Sequence, residues 1–359
     1  MAIKLVIALA ILCAPGHIFT DNSFSSKTEL NNIVFHKGDV FVGAVDYLYR
    51  LNENLVQIKS KKVGPKNDSL RCSSRDEICK YKILTHNTNT LLLVYTHGNK
   101  SDLLSCGSLF QGICQLRNIK SLNVTVDSPR HVAANDGTSS TVAFISKGPV
   151  SGDGAIDILN VAVTHSKRIE GMSLPAVTIR RMHHLSMKKF LSVYRNSIKV
   201  ADDSFIIDYK SGFSSHGFSY FTTVQPTAVG ADTYASNILR YCQQDSSMST
   251  YTEIPISCRD STGVKYNVLI DGFVLRATDK LATIFNVASG AEMYIGIFSK
   301  SASRGKNQTE QNAVCVFSLT DINKAFEANI RRCILYGEPA DGGLPWVKSS
   351  STAGCQVIP

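Results

Sequence analysis

Short apolar runs alternate with turn chemistry along most of the chain. Ile33-Val34-Phe35, Val40 to Val45 and Tyr47 to Leu51 are separated by His36-Lys37-Gly38-Asp39 and by Asp46. Runs of this length bounded by Gly, Asp and Asn read as strands joined by tight hairpins. The unit returns as Tyr81 to Leu84, a turn over His86 to Thr90 and a strand over Leu91 to Tyr95. It returns again as His131 to Ala134, a turn over Asn135 to Ser139 and a strand over Thr141 to Ser146. The first strands of these units lie roughly 49 residues apart, a spacing typical of four-stranded propeller blades. Later units fall at Ser204 to Tyr209 with Phe218 to Val224, at Val264 to Leu275, and at Met293 to Ser299 with Val314 to Leu319. The pattern predicts an all-β chain of about five blades.

Helical periodicity is confined to Asp321 to Arg332, where Ile322, Ala325, Phe326 and Ile330 form one apolar stripe. One such segment in a β array predicts a short helical insertion over 321–332. No Pro/Gly/Ser-rich linker divides the chain, so a single domain is expected.

The first residues carry different information. Lys4, an apolar run from Leu5 to Leu12 and the small residues near Cys13, Ala14 and Gly16 read as a secretory signal over 1–20, leaving 21–359 as the domain. The run is too short to span a bilayer, and Ala277 to Phe298 is broken by Asp279, Lys280 and Glu292. Export is the expectation, with no membrane span in the chain.

In that setting cysteines imply disulfides. Cys13 lies in the leader; Cys72, Cys79, Cys106, Cys114, Cys242, Cys258, Cys315, Cys333 and Cys355 remain, an odd number, so at least one has no partner within the chain. Cys106 and Cys114 bracket Gly107, Ser108 and Gly112, an easy loop for a disulfide between two strands. None has the CxxC spacing of a zinc knuckle. Sequons at Asn67, Asn99, Asn123 and Asn307 all fall in polar stretches, which suits glycosylation on an extracellular surface.

The net charge of +9 admits an acidic protein or a sulfated glycosaminoglycan as partner. Export argues against nucleic acid. The densest basic stretch runs from Arg180 and Arg181 to Lys188 and Lys189. It reads first as a solvated strand and turn, and second as a contact for such a partner.

Catalytic chemistry finds no footing. There is no G-x-S-x-G elbow, Gly152-Asp153-Gly154 lacks the third glycine of a phosphate loop, and His183 and His184 are adjacent, so a strand would point them apart. Neither an enzyme nor a cofactor is expected.

One stretch is more specific than the rest. Leu91 to Leu116 reads LLLVYTHGNKSDLLSCGSLFQGICQL. Its CGSLFQGIC, behind NTNTLLLVY, resembles the second blade of a plexin sema domain. Val42 to Leu51, His131 to Asp136, Tyr220 to Pro226, Ile297 to Lys300, Ala313 to Phe317 and Ile330 to Cys333 are similar to further phrases in family order.

The resemblance implies a sema-type β-propeller, seven-bladed in the family, whose first strand completes the last blade. It implies Cys72–Cys79, Cys106–Cys114, Cys258–Cys315 and Cys242–Cys355 disulfides, with Cys333 unpaired because its family partner lies further on. About five blades would be present, so the chain is expected to be a partial sema domain, either a fragment or incomplete gene prediction, or a product that folds poorly and is retained in the cell. In function it implies a semaphorin-binding receptor ectodomain acting by protein recognition in axon guidance and cell migration signalling. A co-receptor or glycosaminoglycan would be a further partner. Docking is expected through blades three and four, within about His165 to Cys242, with Arg180, Arg181, Lys188 and Lys189 facing an acidic surface. The alternative is a secreted semaphorin-like ligand or soluble decoy.

Overall fold

Each stretch of hairpin chemistry folds into an antiparallel sheet. The computed structural model describes residues 22–69, 82–151, 154–166, 174–182, 191–301, 305, 308–336, 344 and 346–347. The leader, Cys72, Cys79, Cys355, Asn307, Lys188, Lys189, His183, His184 and Asp153 lie outside the described residues.

Blade one comprises Leu30–His36, Asp39–Ala44, Tyr47–Leu51 and Gln57–Lys62, paired in that order. Blade two runs outward from Leu91–His97 through Lys100–Cys106 and Ile113–Asn118 to Val124–His131. Blade three holds Thr141–Ser151, Gly154–Val163, Val177–Arg181 and Val193–Ile198, and blade four holds Asp208–Ser215, Phe218–Pro226, Tyr234–Cys242 and Thr252–Ile256. Blade five has three described strands, Val268–Arg276, Glu292–Ser301 and Gln308–Ser318. The first strand of each blade is innermost, and each meets the first strand of the next. The fold is thus a propeller arrangement of five blades, as the pattern predicted.

Two features differ from expectation. The inner strands begin at residues 30, 91, 141, 208 and 268, so the gap from the first to the second is wider than the roughly 49 residues of the sequence pattern. The reason is that Ile83–Thr85, read as an inner strand, pairs instead with Lys66–Asp68 in a small accessory sheet. The first described strand, Leu30–His36, pairs with Asp39–Ala44 in its own blade, whereas the resemblance had assigned the first strand to the last blade.

The blades pack face to face through apolar layers. Phe41 and Leu48 of blade one meet Leu92 and Leu103 of blade two, and Leu104 and Leu116 meet Leu159 and Val161 of blade three. Ile158, Val177 and Ile179 then pack on Tyr209, Phe221 and Leu239 of blade four. Tyr220, Val224 and Ile238 close on Leu269, Tyr294 and Phe298 of blade five. Alternation along each strand feeds both faces, which is how sheets packed on two sides bury their side chains.

The helix predicted over 321–332 forms over Leu319–Tyr336, with Ile322 and Phe326 buried against blades four and five. Ile330, placed on the same stripe, is 36% exposed. A second helix, Asp279–Phe285, lies between two strands of blade five and is capped by Thr278, whose hydroxyl accepts from the Leu281 amide.

The CGSLFQGIC phrase forms the turn between the second and third strands of blade two. Phe110, Gln111 and Gly112 all take positive φ there. Only glycine fits at 112, since a Cβ would lie 1.9 Å from the Ala133 carbonyl oxygen. That closeness lets the Gly112 carbonyl accept from the Val132 and Ala133 amides at 2.8 and 3.0 Å. Asn135 Nδ2 donates to Gln111 Oε1 at 3.0 Å, and the Phe110 amide donates to Asp68 Oδ2 at 2.6 Å. Two phrases noticed separately in the sequence are therefore one knot, joining blade two to its neighbours.

Candidate recognition surface

Cysteine pairing fixes part of the frame. Cys106 and Cys114 are direct cross-strand partners joined by a disulfide, and Cys258 is bonded to Cys315. Both are the pairs the resemblance implied. Two other assignments are corrected. Cys242, expected to pair with Cys355, carries a free thiol. Cys333, expected to be unpaired, is disulfide-bonded, its partner lying outside the described residues. Among the described residues the one free thiol is thus at the end of the third strand of blade four.

The proposed basic contact is also corrected. Arg180 sits mid-strand in blade three and is 3% exposed. Its Nε donates to Thr178 Oγ1 at 3.1 Å and its Nη1 to the Leu191 carbonyl at 3.0 Å. Such a guanidinium is a structural cross-brace and cannot meet a partner. Arg181 is half-buried and pairs with Ile158 in the sheet register.

What blades three and four do present is a stitched rim. The loop following Cys242 reaches across to blade three, where Gln244 Nε2 donates to the Gly148 carbonyl at 3.0 Å. Asn196, on the outer strand of blade three, returns the link by donating Nδ2 to the Ser247 carbonyl at 2.9 Å. Asp245 holds the loop in shape, accepting from the Ser247 amide at 2.9 Å and from the Thr250 amide at 2.7 Å. Burial raises the Asp245 pKa, but these hydrogen bonds outweigh it and leave the carboxyl below its ordinary value. Met248 anchors the loop from beneath, fully buried in the core between the two blades.

Beneath the rim, Asn160 is buried at the blade interface. Its Oδ1 accepts from Tyr241 at 2.8 Å and Ser219 at 3.0 Å, and its Nδ2 donates to Ser146 Oγ at 2.9 Å. A cleft of about 340 Å³ opens at the end of blade three marked by Val163, Ala176 and Val200, away from Gly148, with Lys199, His165 and Asp203 among its polar lining. His165 Nδ1 lies 3.7 Å from Asp203 Oδ1. The rim is polar and cross-linked by hydrogen bonds, which suits docking of a protein surface. Gln244 and Asn196 have no signature in the sequence, because a single polar residue in a loop or on an outer strand leaves no periodic signal.

Three sequons are described. Asn67, Asn99 and Asn123 are all exposed, Asn99 at the tip of a hairpin. No helix among the described residues is long and apolar enough to cross a membrane.

The sema-domain family matches residues 269–352. Zebrafish Plexin A3 is 28% identical over 358 residues, covering 90% of this chain and 19% of the relative. Human Plexin-A2 is 27% identical over 340 residues, covering 88% and 18%. The chain thus spans under a fifth of the length of these relatives. Among solved structures, the extracellular region of Plexin A4 matches with a TM-score of 0.75 at 25% identity, covering 92% of this chain and 38% of that one. Drosophila Semaphorin 2a shares the fold at a TM-score of 0.56 and 14% identity, covering 93% and 52%. The chain is thus similar to plexin sema domains along nine-tenths of its length in sequence and in fold, and the sema-domain family model matches its last described blade and helix.

Proposed function

We propose that the chain is an extracellular recognition domain that binds a semaphorin through the rim of blades three and four, and that it acts by protein contact, not by catalysis. The observation that carries this reading is its likeness, along 92% of its length, to the plexin A4 ectodomain. A Drosophila plexin solved in complex with Semaphorin 1b shares the fold at a TM-score of 0.51 and 14% identity. A semaphorin-like ligand is the weaker reading, because Semaphorin 2a is both less identical and less similar in fold than Plexin A4. The rim itself supports docking, since its loops are held by hydrogen bonds before a partner arrives and lose little freedom on binding. Guidance and migration signalling would follow in a receptor that carries this domain.

The full chain, secreted from cultured cells, is passed over immobilised semaphorin ectodomains. Saturable binding to at least one, weakened tenfold or more by Lys199→Glu with Gln244→Ala, is expected. No binding to any semaphorin by a folded, monodisperse protein would overturn the proposal.

A further inference from the structure

We propose that the outer strand of blade one, Gln57–Lys62, together with the segment to Lys66, binds a sulfated glycosaminoglycan chain, independently of the semaphorin reading. From Gln57 to Lys66 the sequence QIKSKKVGPK carries four lysines and no acid. Lys59, Lys62 and Lys66 are exposed and Lys61 is half-buried. Among the described residues none of the four takes part in an ion pair, whereas Lys100, Lys147 and Lys210 elsewhere on the blades each sit against an aspartate at 3.0 Å or less. Lys66 Nζ lies 5.6 Å from the centre of the Phe110 ring and Lys61 is hydrogen-bonded to a neutral side chain, so among the described residues the positive charge of this segment has no counter-charge.

Geometry favours a flexible polyanion. The strand is the edge of its sheet, paired on one side with Tyr47–Leu51. Lys59 and Lys61 point to one face and Lys62 to the other, by the two-residue period of a strand. A protein strand adding to this edge would meet lysines on both of its faces, a known deterrent to edge pairing. A sulfated chain running along the edge meets the same lysines as ligands, since their long stems reach to either side. The charge reaches blade two as well, because Lys61 Nζ donates to Asn123 Oδ1 at 2.9 Å and exposed Lys120 lies in the same turn.

The test uses the full chain, freed of N-glycans so that none at Asn67 or Asn123 masks the strand, on a heparin biosensor across a salt series. The variant K59E/K61E/K62E is compared with K265E/K280E/K300E, which changes net charge equally on exposed positions in and beside blade five. Binding of the first is expected to fall by roughly tenfold or more, with the slope of log affinity against log salt reduced by about two to three. The second is expected to fall less than threefold, and N-desulfated heparin to bind weakly to the parent. Equal losses in both variants would reduce the effect to net charge and overturn the site. So would unchanged heparin binding with new self-association on size exclusion, which would make the lysines edge guards only. The neutral K59Q/K61Q/K62Q, checked by thermal unfolding, gives the same readout if the charge-reversed protein fails to fold.

Discussion

The guanidinium of Arg240 lies 4.5 Å from the centre of the Phe326 ring, joining the third strand of blade four to the long helix. Phe218 covers its other flank at 4.3 Å, and Nη1 donates to Asn323 Oδ1 at 2.8 Å. The same Asn323 oxygen accepts from Tyr220 at 2.7 Å. Arg240 is 5% exposed, so these contacts are largely shielded from water, where a cation over an aromatic face contributes about 2 kcal/mol.

Arg240→Lys is expected to destabilise the chain by about 1–2 kcal/mol, because an ammonium cannot stack between two rings and donate in the same plane. Arg240→Ala should cost about 3 kcal/mol or more, since it also leaves Asn323 short of a donor. Urea denaturation measures both. A cost for the lysine variant within error of zero would show that the helix is held by Phe326 and Ile322 packing alone.

The two described disulfides should contribute unequally. Cys258 and Cys315 are 57 residues apart, Cys106 and Cys114 eight. On the chain-entropy account, replacing both cysteines of the longer loop by serine costs about 4 kcal/mol, and of the shorter about 2.5 kcal/mol. Urea midpoints of the two double variants test that order. Native-state alkylation followed by peptide mass mapping checks the thiol assignment: Cys242 should be labelled and Cys333 should not.

Asn160 is the polar pivot between blades three and four. Asn160→Ala removes the acceptor of both Tyr241 and Ser219 and opens a cavity at a site that is 0% exposed. A loss of about 2–4 kcal/mol is expected from two buried hydroxyls left without that partner plus the missing volume. The double variant with Tyr241→Phe should recover part of it, and strictly additive losses in the cycle would argue against a shared node.

Strand alternation and turn residues made the blade count readable, because each hairpin carries its own local chemistry, as His36 to Asp39 does. The frame of the repeat was less readable. Tyr81 to Leu84 has the same pattern as a true inner strand, and only its pairing with Lys66–Asp68 separates them. The helix stripe was visible in Ile322 and Phe326, but nothing local announces that Arg240, about eighty residues earlier, would sit on it. Arg180 shows the opposite failure. A basic run suggests solvent, yet a mid-strand arginine can turn its guanidinium onto the backbone carbonyl of Leu191. Cysteines 242 and 333 were exchanged because sequence alone leaves disulfide connectivity open beyond local loops.

A buried acid of blade four offers a pH test. Glu253, on the outer strand of blade four, is 7% exposed and accepts from Gln225 Nε2 at 2.9 Å, Asn237 Nδ2 at 3.2 Å and the Tyr251 hydroxyl. Tyr209 faces it from the first strand of the blade, with Tyr241 of the third strand beside Tyr209 and Tyr251, and Asn329 of the helix donates to its backbone carbonyl at 3.4 Å. Burial raises the Glu253 pKa above its ordinary value of 4.5, and the three hydrogen bonds only partly offset this. A folded acid with a raised pKa holds its proton where the unfolded chain has lost it, so stability falls as pH rises from about 4.5 through the raised value. Glu253→Gln keeps the shape and removes the titration. The variant should therefore lose less stability than the parent between pH 4.5 and pH 7.5, with the two curves converging or crossing toward neutrality. Urea midpoints measured across that range decide it: identical slopes for parent and variant would mean that Glu253 carries no net proton uptake on folding.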